Sequence, residues 1–226
     1  MSRIYPARNT SSDSDSINEI DLDDISPRVL TVWKRSSMSF QGTHGFTVFN
    51  GEGKLVFRVD NYSKKSRCLM GGIVLMDGAG KAILTLKPQI LSMQYQWKGY
   101  KGDATSKRSW RSNTPLFSMR RKSMLQRNNN EAEVFMGGSK NHEGSSLADY
   151  RIEGSFRRRS CSIIGPRGEV VAVISRKKVV NTTVLLNDDV FSLVVQPGFD
   201  SELIMAFVII MDRICPKPWL APIMCS

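Results

Sequence analysis

The sequence contains few of the residues that build catalytic or metal centres. Its 226 residues include two histidines, His44 and His142, and four cysteines. No two cysteines lie within four residues of each other, which excludes CxxC pairs and the usual zinc-ligand spacings. The GxSxG, P-loop and HExxH signatures are also missing. We therefore expect a protein that is not an enzyme and that carries no cofactor and no metal.

Long hydrophobic runs are missing as well. The longest one, Leu203 to Met211, has nine residues, about half of the ~18–20 that a membrane-spanning helix needs. The opening residues, MSRIYPARNTSSDSDS, lack the apolar core of a secretory signal. We expect a cytoplasmic protein with reduced thiols that is neither secreted nor membrane-spanning, and that associates peripherally with the plasma membrane or enters the nucleus.

Acidic residues are scarce relative to basic ones. The formal net charge is +11 at pH 7 and the pI is about 9.7. Residues 1–28 hold six acids and three arginines, so the rest of the chain carries +14. Residues 1–25 are predicted to form a disordered, acidic tail rich in serine and aspartate. The basic remainder favours polyanionic partners such as anionic lipid headgroups, nucleic acid or acidic proteins.

What the chain does contain is a series of short β-rich runs between turn signals. Glycine-containing turns at 50–53, 77–80 and 165–168 supply the backbone conformations that hairpins require. Residues 71–87 and 160–177 repeat one pattern, an apolar strand, a turn and a second apolar strand. The runs predict twelve strands, near 29–34, 45–50, 54–60, 72–76, 82–87, 92–98, 116–125, 132–136, 149–155, 160–164, 170–179 and 189–195.

The nine-residue apolar run is the one segment that predicts a helix. Asp200 or Ser201 suits its N-cap, and Pro216 would end it. A helix that is apolar on every side is buried on every side. With about twelve strands around it, the simplest arrangement is a mostly β fold, a closed twelve-stranded antiparallel barrel that encloses this helix. We expect the barrel domain to span residues 26–215, followed by a short tail, 216–226.

Several segments resemble the plant LURP-one-related proteins. They are LTVWKRS, GFTVFN followed by GKLVFRVDNY, the hairpin DGAGKAILTLK, and the helix entry DVFSLVVQPGFDSELIMA. The resemblance covers roughly residues 26–214, and the doubled serine after LTVWKR departs from it. It implies the same twelve-stranded barrel around a C-terminal helix, similar in fold to the tubby C-terminal domain and to phospholipid scramblases. Tubby-like domains bind phosphoinositides, and LURP-one-related proteins are associated with plant defence, so both are expectations here.

Charge clustering gives the candidate binding residues. The segment 98–127 carries nine cations against one acid, with Trp97, Tyr100 and Trp110 interleaved. Cations beside aromatic rings suit a membrane surface, although solvated loop charges would give the same pattern. A second cluster lies at 157–159, where a strand end or turn is predicted. The lipid-binding candidates are Lys98, Lys101, Lys107, Arg108, Arg111, Arg120, Arg121, Lys122, Arg157, Arg158 and Arg159.

Two serines follow pairs of arginines in the form R-R-x-S. Ser123 and Ser160 therefore suit a kinase that prefers basic substrates. A phosphate adds about −1.5 to −2 charges and would weaken binding to an anionic surface. We hypothesise that these serines form an electrostatic release switch.

Four functions remain open at this point. The first is a non-enzymatic signalling module that binds phosphoinositides or other anionic lipids at a membrane surface. The second is a nucleic-acid or transcription-related module, although no recognition motif is present. The third is a scramblase-like transporter, which the length and acidic flanks of the apolar run disfavour. The fourth is a protein-interaction barrel with an unknown partner.

Overall fold

The computed structural model describes residues 26–35, 45–59, 72–89, 96–103, 114–122, 131–137, 147–177 and 189–215. These residues form twelve β-strands and one α-helix, α1, Ser201–Ile214. The strands are β1 Arg28–Arg35, β2 Gly45–Phe49, β3 Leu55–Val59, β4 Ile73–Asp77, β5 Ala82–Gln89, β6 Gln96–Lys101, β7 Phe117–Arg121, β8 Ala132–Met136, β9 Tyr150–Ser155, β10 Ser160–Ile164, β11 Val170–Arg176 and β12 Val190–Val195.

The strands form one closed barrel in sequence order. Each pairs antiparallel with the next, and β12 closes the barrel against β1, with Leu30 opposite Leu193. Closure leaves no unpaired edge in the sheet that the described strands form. The predicted closed twelve-stranded antiparallel barrel enclosing a C-terminal helix is therefore confirmed.

Antiparallel order gives the barrel two distinct ends. We call the end where β1 starts the upper end, and the end where β1 finishes the lower end. The turns at 50–53, 77–80 and 165–168 lie at the upper end, and the turn at 156–159 lies at the lower end. Helix α1 starts at the upper end and finishes at the lower end, where Lys34 Nζ of β1 lies 2.7 Å from Asp212 Oδ1.

The three upper turns share one geometry. Each is closed by a backbone hydrogen bond, from Asn50 N to Lys54 O, from Asp77 N to Lys81 O and from Gly165 N to Glu169 O. The fourth residue of each turn is a glycine with φ between 79° and 92°, a conformation that other residues rarely adopt. Each hairpin then skips one residue in its register. The hairpin pattern that the sequence shows twice, at 71–87 and 160–177, thus occurs three times in the barrel.

Helix α1 fills the interior of the barrel. Every residue from Ile204 to Met211 is buried, so the apolar run faces inward-pointing side chains on all sides. Phe207 packs against Phe117 at 5.0 Å and Tyr150 at 5.5 Å between ring centroids. Asp200 caps the helix, because its Oδ1 accepts hydrogen bonds from the backbone N–H of Glu202 and Leu203. In the described part of the chain, no helix is long and apolar enough to cross a membrane.

Strand β6 is the main departure from the predicted boundaries. The sequence predicts a strand near 92–98, whereas β6 runs from Gln96 to Lys101, and Lys101 pairs with Leu84. Gly99 lies within this strand. A glycine is needed there because the ring of Phe117 occupies the space that a side chain would fill. The predicted tails at 1–25 and 216–226 lie outside the described residues.

Candidate anion-binding site at the lower end of the barrel

The barrel topology divides the predicted basic segment. Lys98 pairs with Ser118 in the middle of the wall, and Lys101 finishes β6 at the upper end. Arg121 finishes β7 at the opposite, lower end, and Lys122 follows it. The described cations of this segment therefore lie at opposite ends of the barrel and do not form one continuous surface. The candidates Lys107, Arg108, Arg111 and Ser123 lie outside the described residues.

The aromatic residues of that segment do not form an interfacial belt. Trp97 and Tyr100 are both 5% exposed, so neither ring is available to a membrane surface. Trp97 packs into the barrel core. The expectation that they lie beside the cations at a membrane boundary is wrong, because strand packing buries both. Trp110 lies outside the described residues.

Two cations at or just after the end of β7, Arg120 and Lys122, are paired with acids at the start of the neighbouring β8. The register places Arg120 opposite Glu133, and their side chains form an ion pair at 3.1 Å. Arg120 also stacks over the ring of Phe135, 4.7 Å from its centroid. Lys122 pairs with Glu131 at 3.2 Å and stays half exposed. These contacts neutralise much of the positive charge predicted for β7.

The turn between β9 and β10 presents two of its three arginines. Arg157 and Arg158 are exposed. Arg159 is 4% exposed, and its guanidinium lies over two rings, 4.5 Å from the Phe156 centroid and 4.1 Å from the Phe191 centroid. It also has a φ of 52°, unusual for a residue other than glycine. Arg159 is therefore a wrong choice as a lipid contact, because it is an internal anchor of the turn.

Hydrogen bonds fix the conformation of this turn. The N–H groups of Arg158 and Arg159 donate to the carbonyl oxygens of Ser155 and Phe156 at 3.2 and 3.1 Å. From β11, Arg176 Nε donates to the carbonyl oxygen of Arg158 at 3.2 Å. The turn is a tight loop at a predicted position, and Arg176 brings a further exposed cation beside it.

The lower end of β7 and the β9–β10 turn lie near the end of α1. Burial raises the pKa of Cys215 to about 11, and the positive charges of Arg121 and Arg157 oppose that rise. Both guanidiniums therefore lie close enough to one thiol to act on its charge, although 36 residues separate them in sequence. Burial also raises the pKa of Cys161 to about 12, against the positive charge of Arg159.

The described residues at the two ends differ in net charge. Cations at the lower end include Lys34, Arg121, Lys122, Arg157, Arg158, Arg159, Arg176, Lys177 and Arg213. The acids there are fewer and include Glu131, Asp189 and Asp212. Cations at the upper end include Arg28, Lys54, Lys81, Lys101 and Arg167. The acids there include Glu52, Asp77, Asp103, Asp149, Glu169, Asp200 and Glu202, so the upper end has no excess of positive charge.

Sequence reasoning missed two members of this site. Arg176 and Lys177 come at the end of β11, next to the β9–β10 turn, and Arg176 is exposed. The run ISRKK at 174–178 contains them and was a usable signal. It becomes informative only once β10 and β11 are known to form a hairpin, because the hairpin places their lower ends together.

Ser160 is exposed at the first position of β10, next to this surface. Its hydroxyl follows Arg157 and Arg158 at the spacing that the R-R-x-S pattern requires, and both arginines are exposed. Backbone hydrogen bonds hold them in a tight turn, which Arg159 anchors between two rings, so the turn would have to open for this segment to become extended.

The fold places this protein in the class of closed antiparallel barrels that enclose an apolar helix. Residues 28–212 match the family model described as LURP-one-related. Protein LURP-one-related 5 of Arabidopsis thaliana is 38% identical over 188 residues, covering 83% of each chain. Protein LURP-one-related 12 of the same plant is 36% identical over 185 residues, covering 82% of this chain and 77% of the relative. The chain belongs to the LURP-one-related family.

A solved structure has the same fold. It is an X-ray structure of a protein from Arabidopsis thaliana, with a TM-score of 0.57 and 22% sequence identity. The match covers 85% of this chain and 93% of that chain. At this identity the similarity establishes the architecture of the barrel, and the chemistry of the lower end has to be argued from its own residues.

Proposed function

We propose that this protein is a non-enzymatic plant signalling module, related to defence, that binds anionic phospholipid headgroups at the cytosolic surface of a membrane. Phosphoinositides are the proposed lipid class. The observation that carries the proposal is the convergence of exposed cations from separate chain segments at the lower end, with Arg157 and Arg158 at its centre. Membership of the LURP-one-related family supports the connection to plant defence.

The strength of such binding follows from the number of exposed cations. A lysine or arginine near an anionic membrane contributes about 1 kcal/mol, so one alone would not hold the protein there. Arg157, Arg158 and Arg176 are exposed, whereas Lys122 is half exposed and paired with Glu131. The three exposed arginines would together contribute about 3 kcal/mol, enough for reversible attachment. The fixed turn also lowers the entropy that the two arginines lose on binding a multiply charged headgroup.

A non-enzymatic role is supported by the state of the described thiols. Cys161 and Cys215 are buried, with pKa values raised to about 12 and 11, so both are protonated at neutral pH and poor nucleophiles. Among the described residues, no three His, Cys, Asp or Glu side chains are grouped as metal ligands would be.

Co-sedimentation with liposomes tests the proposal. Neutral vesicles are compared at near-physiological salt with vesicles of equal total charge that carry phosphatidylserine or a phosphoinositide. Arg157→Glu with Arg158→Glu removes two cations, each worth about 1 kcal/mol, and adds two acids, so it should lower the partition coefficient by about 30-fold or more. The matched control is Lys54→Glu with Lys81→Glu, which reverses two exposed cations at the upper end and should leave binding unchanged.

The outcomes separate the candidate functions. Selective binding to phosphoinositide vesicles that is lost only in the lower-end variant supports the proposal. Equal loss in both variants would mean that net charge, and not the lower end, drives binding. Binding to a DNA duplex with no binding to vesicles would favour the nucleic-acid function. Binding to neither would leave a protein partner.

The proposed regulation is phosphorylation of Ser160 beside the site. A phosphate there would place about −1.5 to −2 charges next to Arg157 and Arg158 and lower the affinity for an anionic surface. Because the turn must open before a kinase can bind this segment in an extended conformation, phosphorylation of the folded protein should be slow compared with a peptide of the same sequence.

A further inference from the structure

Trp33 has an unusual position among the exposed apolar residues. Six large hydrophobic side chains are exposed in the described part of the chain, and Trp33, at 47%, is the aromatic one among them. The other five lie at the upper end, namely Val29, Leu116, Met136, Leu147 and Val170. Trp33 alone lies towards the lower end, where the positive charge is concentrated.

The register links Trp33 to the basic turn. Trp33 pairs with Val190 of β12, and on the other side of β12 Arg176 pairs with the next residue, Phe191. Neighbouring strands are about 4.8 Å apart, so the backbones at Trp33 and Arg176 lie roughly 10 Å apart. Arg176 in turn donates its hydrogen bond to Arg158. Trp33, Arg176 and Arg158 therefore follow one another along the rim of the barrel.

The side chain of Trp33 points away from the barrel. Its neighbours in β1, Val32 and Lys34, point inward: Val32 is fully buried and Lys34 pairs with Asp212 inside the barrel mouth. Because side chains alternate along a strand, Trp33 faces outward. A half-exposed indole on the outer wall near a row of cations matches the arrangement that membrane surfaces favour, with the ring at the boundary and the charges at the headgroups.

We infer that Trp33 is the residue that enters the membrane interface, so that the barrel docks tilted onto the side formed by β1, β12 and β11. The inference rests on the proposed function, because it assumes attachment to an anionic membrane. Trp33 lies two residues before the end of β1, about 7 Å along the strand. The rim must therefore tilt for the cations and the indole to meet one surface together. Charge holds the protein near the membrane, and the indole fixes its orientation.

The test uses the full chain and vesicles containing a phosphoinositide. Trp33 is 47% exposed, so about half of its side-chain surface can contact the membrane. Trp33→Ala removes that contact and should lower the partition coefficient about tenfold. Trp33→Phe keeps a ring and should lower it less than threefold. The matched control is Val29→Ala, which truncates a side chain of similar exposure, 45%, on the same face of β1 but at the upper end. It should bind as the wild type does.

Depth is measured by quenching of tryptophan fluorescence with brominated lipid chains. The wild type should be quenched more strongly than Trp33→Phe, because that variant keeps the other three tryptophans and loses the inserted one. Unchanged melting temperatures of the variants will show that the exposed substitutions leave the barrel folded.

Three results would overturn the inference. In the first, Trp33→Ala binds within twofold of wild type, whereas the double variant Arg157→Glu, Arg158→Glu loses binding. In that case the inference fails and the proposed function stands. In the second, brominated lipids quench the tryptophan fluorescence of wild type and of Trp33→Phe equally. The inference then fails and the proposed function again stands. The third is a wild type that binds no anionic vesicle, which would sink the proposed function and this inference together.

Discussion

The two ends of the barrel differ in charge around one buried helix. The upper end holds the N-terminus of α1 with Asp200 and Glu202, and the lower end holds its C-terminus among cations. The helix dipole favours acids at its start and cations at its end. Much of the charge difference between the two ends therefore stabilises the helix, and the number of cations at the lower end overstates how many a ligand can contact.

The comparison separates internal charges from available ones. At the lower end, Lys34 is held by Asp212, and Arg159 is held by two aromatic rings. At the upper end, partial burial raises the pKa of Glu202, and the nearby carboxylates of Asp200 and Asp77 raise it further. These acids at the upper end thus repel one another. At the lower end, Lys34 and Arg159 are held by an acid and by aromatic rings, and Arg157 and Arg158 stay exposed.

The largest effect is expected at the partly buried ion pair that ties the end of α1 to β1. The side chains of Lys34 and Asp212 are 14% and 7% exposed, 2.7 Å apart. Asp212→Ala leaves the Lys34 ammonium without this partner and should lower the free energy of unfolding by about 3 kcal/mol. Urea denaturation measures the loss.

The control for this prediction is Asp200→Ala, which removes the cap at the other end of the same helix. Losing an N-cap costs about 1 kcal/mol, because two backbone N–H groups are exposed to water and can be solvated. Equal losses in the two variants would show that the lower end is not the more strongly anchored one.

The second prediction concerns Arg159, the internal anchor of the basic turn. Arg159→Ala removes stacking over Phe156 and Phe191 and should cost about 2 kcal/mol of stability. Arg158→Ala removes an exposed side chain from the same turn and should cost less than about 0.5 kcal/mol. Thermal unfolding of the pair tests this difference. Similar melting temperatures would contradict an anchoring role for Arg159.

The sequence predicted the architecture well because the relevant signals are local. Hairpin turns depend on glycines at fixed positions, such as Gly53 and Gly168, and burial of α1 follows from an apolar run with no polar face. The predicted bounds of strand β6 stopped just before Gly99, and glycine weakens a strand by its own propensity. In the barrel, that glycine makes room for Phe117, which is a contact between strands that no local pattern reveals.

The site was harder to predict because it depends on register. Nothing around Arg120 or Lys122 indicates that β8 places Glu133 and Glu131 opposite them. Nor does the sequence show that Arg159 alone turns inward from three consecutive arginines. The turn position itself was predicted, since three cations in succession cannot all face outward from one strand.

The third prediction concerns the described thiols at the lower end. The folded state holds the pKa of Cys161 at about 12 and that of Cys215 at about 11, against 9.0 for an ordinary thiol. Because the unfolded thiols ionise first, stability is fully present below pH 9 and is lost as the pH rises towards these folded values. Each thiol should contribute a loss of about 1.4 kcal/mol per pH unit above 9.

Comparison with Cys161→Ala separates the pH-dependent stability loss caused by the Cys161 thiol from the losses caused by lysines and tyrosines that titrate in the same range. The variant should be less stable than wild type at pH 8 because it has lost packing, but its free energy of unfolding should fall less steeply between pH 8 and 10.5. Parallel slopes would mean that the Cys161 thiol is not protected from ionisation.

The smallest effect is expected from a single added charge beside the basic turn. Ser160→Asp places one carboxylate at the exposed start of β10, next to Arg157 and Arg158, while Ser160→Asn adds the same bulk without charge. If the lower end faces the membrane, the aspartate variant should partition into phosphoinositide vesicles about fivefold less than the asparagine variant, since one charge near the surface is worth about 1 kcal/mol. The same change at the acidic upper end, Lys54→Asp against Lys54→Asn, should leave partitioning unaltered. A larger effect at the upper end would mean that the membrane meets the barrel there, and the functional roles of the two ends would have to be exchanged.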